Sequence, residues 1–200
     1  MRIPKLIITV AVCFIGLQSL AQSTEQPEKY RKFSLYGGVG PSYFFNNLIA
    51  FKNDVTPWGY AFSFRAMWEP KHSFLSLGFE TGYTRLYSAT STIVVSGQST
   101  NATVKNSNIP LMLCVSMKFS PKVYANWSMG QSISLSKVSS PGNSRNFNSS
   151  TTSLSDFIAT FGYRFIQKSR ISYAAEARGY YSSSYANGTV ALLFVVGYKL

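Results

Sequence analysis

Apolar and polar residues alternate with a period of two along much of this chain. In the stretch SFLSLGFETGYTRLY (73–87), Leu75, Leu77 and Phe79 share one parity, while the other parity carries small residues and a carboxylate, Glu80. Such alternation is typical of a β-strand that has two unlike faces. The position of Glu80 in the middle of the strand makes it important to know which face lies inside the protein.

Eight segments show this alternation, and each has the roughly 9–11 residues that a tilted strand needs to cross a bilayer. They are 33–44, 59–69, 73–87, 107–119, 123–137, 153–165, 171–181 and 189–200. Long spacers such as SATSTIVVSGQSTNATVKN (88–106) and VSSPGNSRNFNSSTT (138–152) alternate with short ones such as EPKH and SPK. Long loops at one end and short turns at the other are typical of outer-membrane barrels. TIVV (92–95) is also compatible with a strand that continues into a hairpin.

The composition favours the same class of structure. Charged residues make up 13% of the chain and aromatic residues 16%, whereas soluble domains carry about 25% charged residues. The longest apolar runs, such as VALLFVV (190–196), are too short for a spanning helix. We therefore predict an all-β fold: an eight-stranded antiparallel up-and-down transmembrane β-barrel with a closed lumen that side chains fill.

The N-terminal sequence MRIPKLIITVAVCFIGLQSLAQS has a short basic region, an apolar run and small residues before a cleavage position. This pattern predicts a secretory signal peptide, although a membrane anchor would share the apolar run. The expected organisation is a cleaved signal peptide over 1–21, a periplasmic segment over 22–32 and the barrel over 33–200. An even number of strands places both termini in the periplasm.

In this barrel the apolar parity faces lipid and the charged parity faces the lumen. Aromatic residues at the edges of the apolar band are expected at the lipid–water boundary. These interface residues are Trp58, Tyr60, Trp68, Phe119, Tyr181 and Tyr198. The predicted ion-pair network in the lumen consists of Arg65, Glu80, Asp156, Arg164, Glu176 and Arg178. A proton or ion pathway is the functional alternative, but eight strands leave room for little beyond their own side chains.

A soluble lipocalin-like barrel is the competing fold, and it would bury the apolar parity. The glycines and serines on the charged parity disfavour it, because a solvated face usually carries many Lys and Glu residues.

The chain resembles the outer-membrane barrel family of Bacteroidota, the OmpA/OmpX-like small barrels. The resemblance is carried by SLYGGVGPSYFF (34–45), NIPLMLCVSMKF (108–119), FIATFGYRF (157–165) and LLFVVGYKL (192–200). The resemblance implies an integral barrel and leaves its role open. Some members serve as subunits of larger machines, including the type IX secretion apparatus, and most end in an aromatic residue, whereas this chain ends in Leu200.

The sequence offers little catalytic chemistry. Its one histidine, His72, falls in a predicted periplasmic turn, away from the long loops, and the sequence contains no metal-ligand spacing and no nucleotide motif. We predict no enzyme activity, no catalytic or metal-binding residue and no cofactor.

Basic residues outnumber acidic ones by 19 to 7, which raises the question of a nucleic-acid partner. The basic residues at the predicted periplasmic ends suit anionic lipid headgroups better than nucleic acid.

The leading hypothesis is a monomeric outer-membrane barrel with a structural or interaction role. Outer-membrane lipids, including lipopolysaccharide, and possible outer-membrane or periplasmic proteins are the expected partners. Apolar loop residues are the candidate contacts. They are Leu48, Ile49, Phe51, Ile93 and Val94. The alternatives are a channel for small solutes and, less favoured, a lipid-modifying enzyme.

Overall fold

The computed structural model describes residues 32–45, 55–70, 73–95, 98–140, 143–168, 170–182 and 187–200. The predicted signal peptide and the residues up to 31 lie outside this part of the chain. The strands are β1 (Lys32–Phe45), β2 (Val55–Thr56), β3 (Trp58–Glu69), β4 (Leu75–Val95), β5 (Gln98–Lys118), β6 (Val123–Ser140), β7 (Asn143–Gln167), β8 (Ile171–Ser182) and β9 (Asn187–Lys199). No helix in the described ranges is long and apolar enough to cross a membrane.

The strands close into an antiparallel barrel. Strand β2 precedes β3 across Pro57, which has no N–H to donate, and both strands pair with β4, so they act as one barrel strand. Every strand from β3 onward pairs with its chain neighbour, and β1 pairs with both β3 and β9. This is the predicted eight-stranded up-and-down fold.

One end of the barrel carries short turns, and we call it the turn end. In the turn between β5 and β6, the backbone N–H of Ser120 donates to the carbonyl of Val123 at 3.2 Å. The Ser120 hydroxyl accepts from the N–H of Val123 at 3.0 Å. Pro121 presets the backbone angle that the second position of such a turn requires. The predicted turn SPK is short for this local reason.

At the opposite end, which we call the hairpin end, strands replace the predicted long loops, and the alternative of a strand that continues through TIVV (92–95) into a hairpin is confirmed. The spacers 88–106 and 138–152 are not loops but strand over most of their length, because β4 pairs with β5 up to Val95 and Gln98 and β6 pairs with β7 up to Ser140 and Asn143. Polar cross-strand bonds suit these extensions: the hydroxyls of Thr90 and Thr103 lie 3.2 Å apart. Their Ser, Thr and Asn content suggested loops, but backbone pairing needs no apolar face.

The outward face is apolar, as predicted. Phe79, Trp127 and Phe161 are 68%, 58% and 57% exposed. The inward face holds the charges and two buried apolar clusters, one around Tyr36 and Tyr124 and the other around Phe44, Met112, Leu86, Ile158 and Tyr180. The barrel is therefore inverted relative to a soluble one, since most of its large aromatic residues point away from its interior.

Candidate functional site

The candidate site is the charged interior of the barrel. Every aspartate and glutamate among the described residues points inward, namely Glu69, Glu80, Asp156 and Glu176. Four basic side chains share this interior, namely Arg65, Lys118, Arg164 and Arg178. The formal charges of these eight groups cancel. Inward charges can therefore form pairs, whereas a charge on the outward face would have no such partner.

Arg65 and Glu176 form a salt bridge across the lumen. Arg65 lies on β3 and Glu176 on β8, and β1 and β9 separate these two strands around the ring. The hydroxyl of Tyr124, on β6, donates to the same Glu176 oxygen at 2.6 Å. The two charged side chains are 3% and 1% exposed. These contacts therefore connect β3, β6 and β8 across the lumen, in a site shielded from solvent.

A second pair lies beside the first. The Nη1 atom of Arg178 lies 3.0 Å from the Oε1 atom of Glu80, although the two groups are not aligned as a hydrogen bond. The other carboxylate oxygen of Glu80 accepts a hydrogen bond from Ser128. Glu80 is also the register partner of Arg65 between β3 and β4. Arg65, Glu80, Glu176 and Arg178 thus form one group, which we call the central quartet.

Glu69 and Lys118 form a further pair at the turn end. Lys118 Nζ lies 2.6 Å from a Glu69 oxygen, and Tyr36 donates its hydroxyl proton to the other oxygen. Arg164 Nη2 donates to the Tyr36 hydroxyl at 3.3 Å, and its guanidinium lies 4.5 Å from the ring centre of Tyr124. Arg164 is therefore held by aromatic rings and a hydroxyl, and the predicted pairing of Arg164 with a carboxylate is not seen.

Asp156 lies apart from the quartet, toward the hairpin end. Its carboxylate accepts hydrogen bonds from the hydroxyls of Ser132, Ser153 and Tyr180. Asn108 in turn donates to Tyr180. No basic side chain of the described residues pairs with Asp156, so its predicted place in the ion-pair network is not seen. Hydroxyl donors satisfy this buried carboxylate instead.

The aromatic residues predicted at the interface lie on the outward face near the ends of the strands. Trp58, Tyr60, Phe119, Tyr181 and Tyr198 are exposed, and Trp68 is half-buried. Near the hairpin end, Tyr43 contacts Trp58 edge-on at 5.1 Å between ring centres. Tyr60 stacks on Tyr83 at 5.6 Å.

The predicted loop contacts are not located by the structure. Leu48, Ile49 and Phe51 lie outside the described residues. Ile93 and Val94 are part of β4 rather than of a loop, in agreement with the hairpin alternative for TIVV, because this segment pairs with Thr100 and Ser99 of β5.

Sequence reasoning missed the inward positions of Tyr36, Tyr180 and Glu69. Glu69 shares the parity of Arg65 and Met67, but it was assigned to a turn. Tyr36 and Tyr180 share the parity of small polar residues, and aromatic residues were expected mainly on the outside. Parity was the signal that could have placed all three residues in the lumen.

The described residues contain no group of three or more His, Cys, Asp and Glu side chains placed to hold a metal ion. Cys114 is buried and unpaired with another cysteine. His72 lies outside the described residues.

The fold defines the chain as a small eight-stranded antiparallel barrel with an apolar exterior. Several solved structures share this fold, among them those of the proteins Ail and NspA. The attachment invasion locus protein Ail of Yersinia pestis matches with a TM-score of 0.52 and 13% identity, covering 85% of this chain and 99% of that one. Neisserial surface protein A, NspA, matches with a TM-score of 0.50 and 13% identity, covering 84% of this chain and 97% of that one. These likenesses establish the fold alone and do not bear on the narrower resemblance to Bacteroidota barrels. No family model and no curated protein sequence matches the chain.

Proposed function

We propose that this protein is an integral outer-membrane barrel with a structural or interaction role. The observation that carries the proposal is the inversion of its two faces. Large aromatic residues cover the exterior, and every described carboxylate lies inside. The aromatic exterior is compatible with the hydrocarbon of a bilayer. An unpaired charge on this exterior would cost about 2–4 kcal/mol for a basic residue near the bilayer centre.

The proposed orientation places the hairpin end outside the cell and the turn end in the periplasm, because outer-membrane barrels have short periplasmic turns. Contacts with partners would then use the hairpin end. Lumen side chains that span the barrel, above all Arg65 and Glu176, support an occupied interior over a transport role. The proposed function requires no catalysis and no cofactor.

A channel for small solutes is the second candidate, and a specific observation favours it. Several buried polar groups have no hydrogen-bond partner among the described residues, including the guanidinium of Arg178 and the hydroxyls of Thr160, Ser182 and Thr189. Buried polar groups usually bond to protein or to water. Water beside Arg178 would give the lumen a hydrated section.

Conductance in planar bilayers separates the two candidates. The occupied lumen predicts current at the level of lipid leak for the wild-type protein. A discrete conductance that Arg178→Ala alters would establish the channel. Purification from detergent-extracted outer membranes then tests the interaction role: a stoichiometric partner that survives washing supports it, and a barrel that is always isolated alone supports a structural role.

A further inference from the structure

Two lysines face each other on the outward surface near the hairpin end. Lys105 of β5 and Lys137 of β6 are direct register partners, and both side chains are exposed. Directly opposed residues on one face have Cβ atoms only about 4.5–5.5 Å apart, and like charges in this position are destabilising. Arg85 of β4 lies diagonally beside them, because its register partner Ser107 is two residues from Lys105. We call Arg85, Lys105 and Lys137 the outer basic cluster.

The structure offers this cluster no negative partner. The aspartates and glutamates of the described residues all point into the lumen, so none of them shares the outward face with the cluster. A specific counter-charge for the three cations would therefore come from outside the described residues. Three basic groups within a few residues of one another suit a phosphate, which can accept several charge-assisted hydrogen bonds.

An apolar depression lies on the same strands, toward the turn end. It has a volume of about 470 Å³, and its outward lining includes Phe64, Phe79, Thr81, Leu111, Leu113 and Met129. Thr81 and Ala66 are small residues of this lining. The register partners of Thr81 are Phe64 on β3 and Leu111 on β5, so it leaves a recess between large side chains. The recess has the size and polarity for a segment of hydrocarbon chain.

The outer basic cluster and the recess are close enough to form one binding site. Lys105 lies six residues along β5 from Leu111, which is about 20 Å of strand and about 15 Å along the barrel axis at the usual tilt. Arg85 is nearer, four residues from Thr81 and beside the stacked Tyr60 and Tyr83. A phosphate at the cluster and an acyl chain in the recess therefore lie at the separation found within one lipid molecule.

We infer that the outer basic cluster and the recess together bind a phosphorylated glycolipid of the outer leaflet, of the lipid A type. The inference rests on the proposed orientation, which places the hairpin end in that leaflet. A soluble polyanion would need only the cluster, whereas a molecule that carries both phosphate and acyl chains uses both features.

Native mass spectrometry of the folded full-length protein in detergent, titrated with bisphosphorylated lipid A, tests this site. The double variant Lys105→Gln/Lys137→Gln should bind lipid A about 30-fold more weakly, from the usual contribution of a basic residue near an anionic membrane surface. The matched control is Lys122→Gln/Lys168→Gln, which removes the same charge from exposed positions at the turn end. The control should retain the wild-type affinity. Thr81→Phe, which fills the recess, should also weaken binding.

Three results would overturn the inference: equal losses in the two double variants, equal affinity for dephosphorylated lipid A, or equal affinity for phosphatidylglycerol. Migration of unheated protein on a gel shows whether each variant is folded. A folded barrel that inserts into vesicles but does not bind lipid A would refute the site and leave the proposed function standing.

Discussion

Loss of the Glu176 carboxylate is the sharpest perturbation of the barrel interior. Glu176→Gln would leave Arg65 buried with its direct counter-charge removed, while the size of the side chain barely changes. Both side chains are almost completely shielded, at 3% and 1% exposure. Breaking a buried pair from one side costs about 3–5 kcal/mol, because the remaining charge stays desolvated. We therefore expect the free energy of unfolding to fall by about that amount.

Urea titration of the barrel in detergent micelles, followed by tryptophan fluorescence, measures this loss. The matched control is Glu69→Gln at the turn end, where the partner Lys118 is 24% exposed and water can replace the contact. We expect that control to cost about 1 kcal/mol. The double variant Arg65→Met/Glu176→Leu should lose less than Glu176→Gln alone, since it removes both charges. Equal losses for Glu176→Gln and Glu69→Gln, or a double variant that loses the sum of its single changes, would refute the pairing.

Two further predictions address the wall of the barrel. A Cβ added at Gly162 would lie 2.2 Å from the ring of Tyr124, so Gly162→Ala should cost about 1–3 kcal/mol in urea unfolding, whereas Gly37→Ala, with no atom within 4 Å, should cost far less. Phe79→Arg on the outward face should cost about 2–4 kcal/mol in lipid vesicles, and Tyr198→Arg near the strand end about 0–1 kcal/mol. Similar costs at the two glycines, or at the two outward positions, would contradict these assignments.

The faces of the strands were predictable because alternation is local. Phe157, Phe161 and Phe165 occupy every fourth position in β7, and the alternation of side chains along a strand places them on one face whatever the neighbouring strand is. The same rule placed Glu80 and Arg178 inside. A two-residue period needs no knowledge of distant parts of the chain.

The partners of the inward charges were not predictable, because parity gives the face of a residue but not its height in the barrel. Arg65 and Glu176 are 111 residues apart in the chain, and their contact depends on the closure of the ring and its register. Asp156 lies four residues along β7 from Thr160, the register partner of Arg178, so it is level with hydroxyl groups rather than with the guanidinium. Only the register reveals that difference.

The long hairpins were misjudged for another physical reason. Composition separates apolar faces from polar ones, and apart from TIVV (92–95) the extensions of β4 to β7 have no strongly apolar face. Their backbones still pair, and cross-strand contacts such as the 2.9 Å bond from Thr92 to Asn101 add to that pairing. Polar strands that leave the apolar band resemble loops in sequence.

We propose that the outward face of the barrel meets hydrocarbon, and the fluorescence of Trp127 on that face can measure this contact. Replacing Trp58 and Trp68 by Phe leaves Trp127 as the only tryptophan of the chain. In vesicles of phospholipids with brominated acyl chains, we expect strong quenching of Trp127, together with little quenching by aqueous acrylamide. Strong quenching by acrylamide with none by the brominated chains would contradict it.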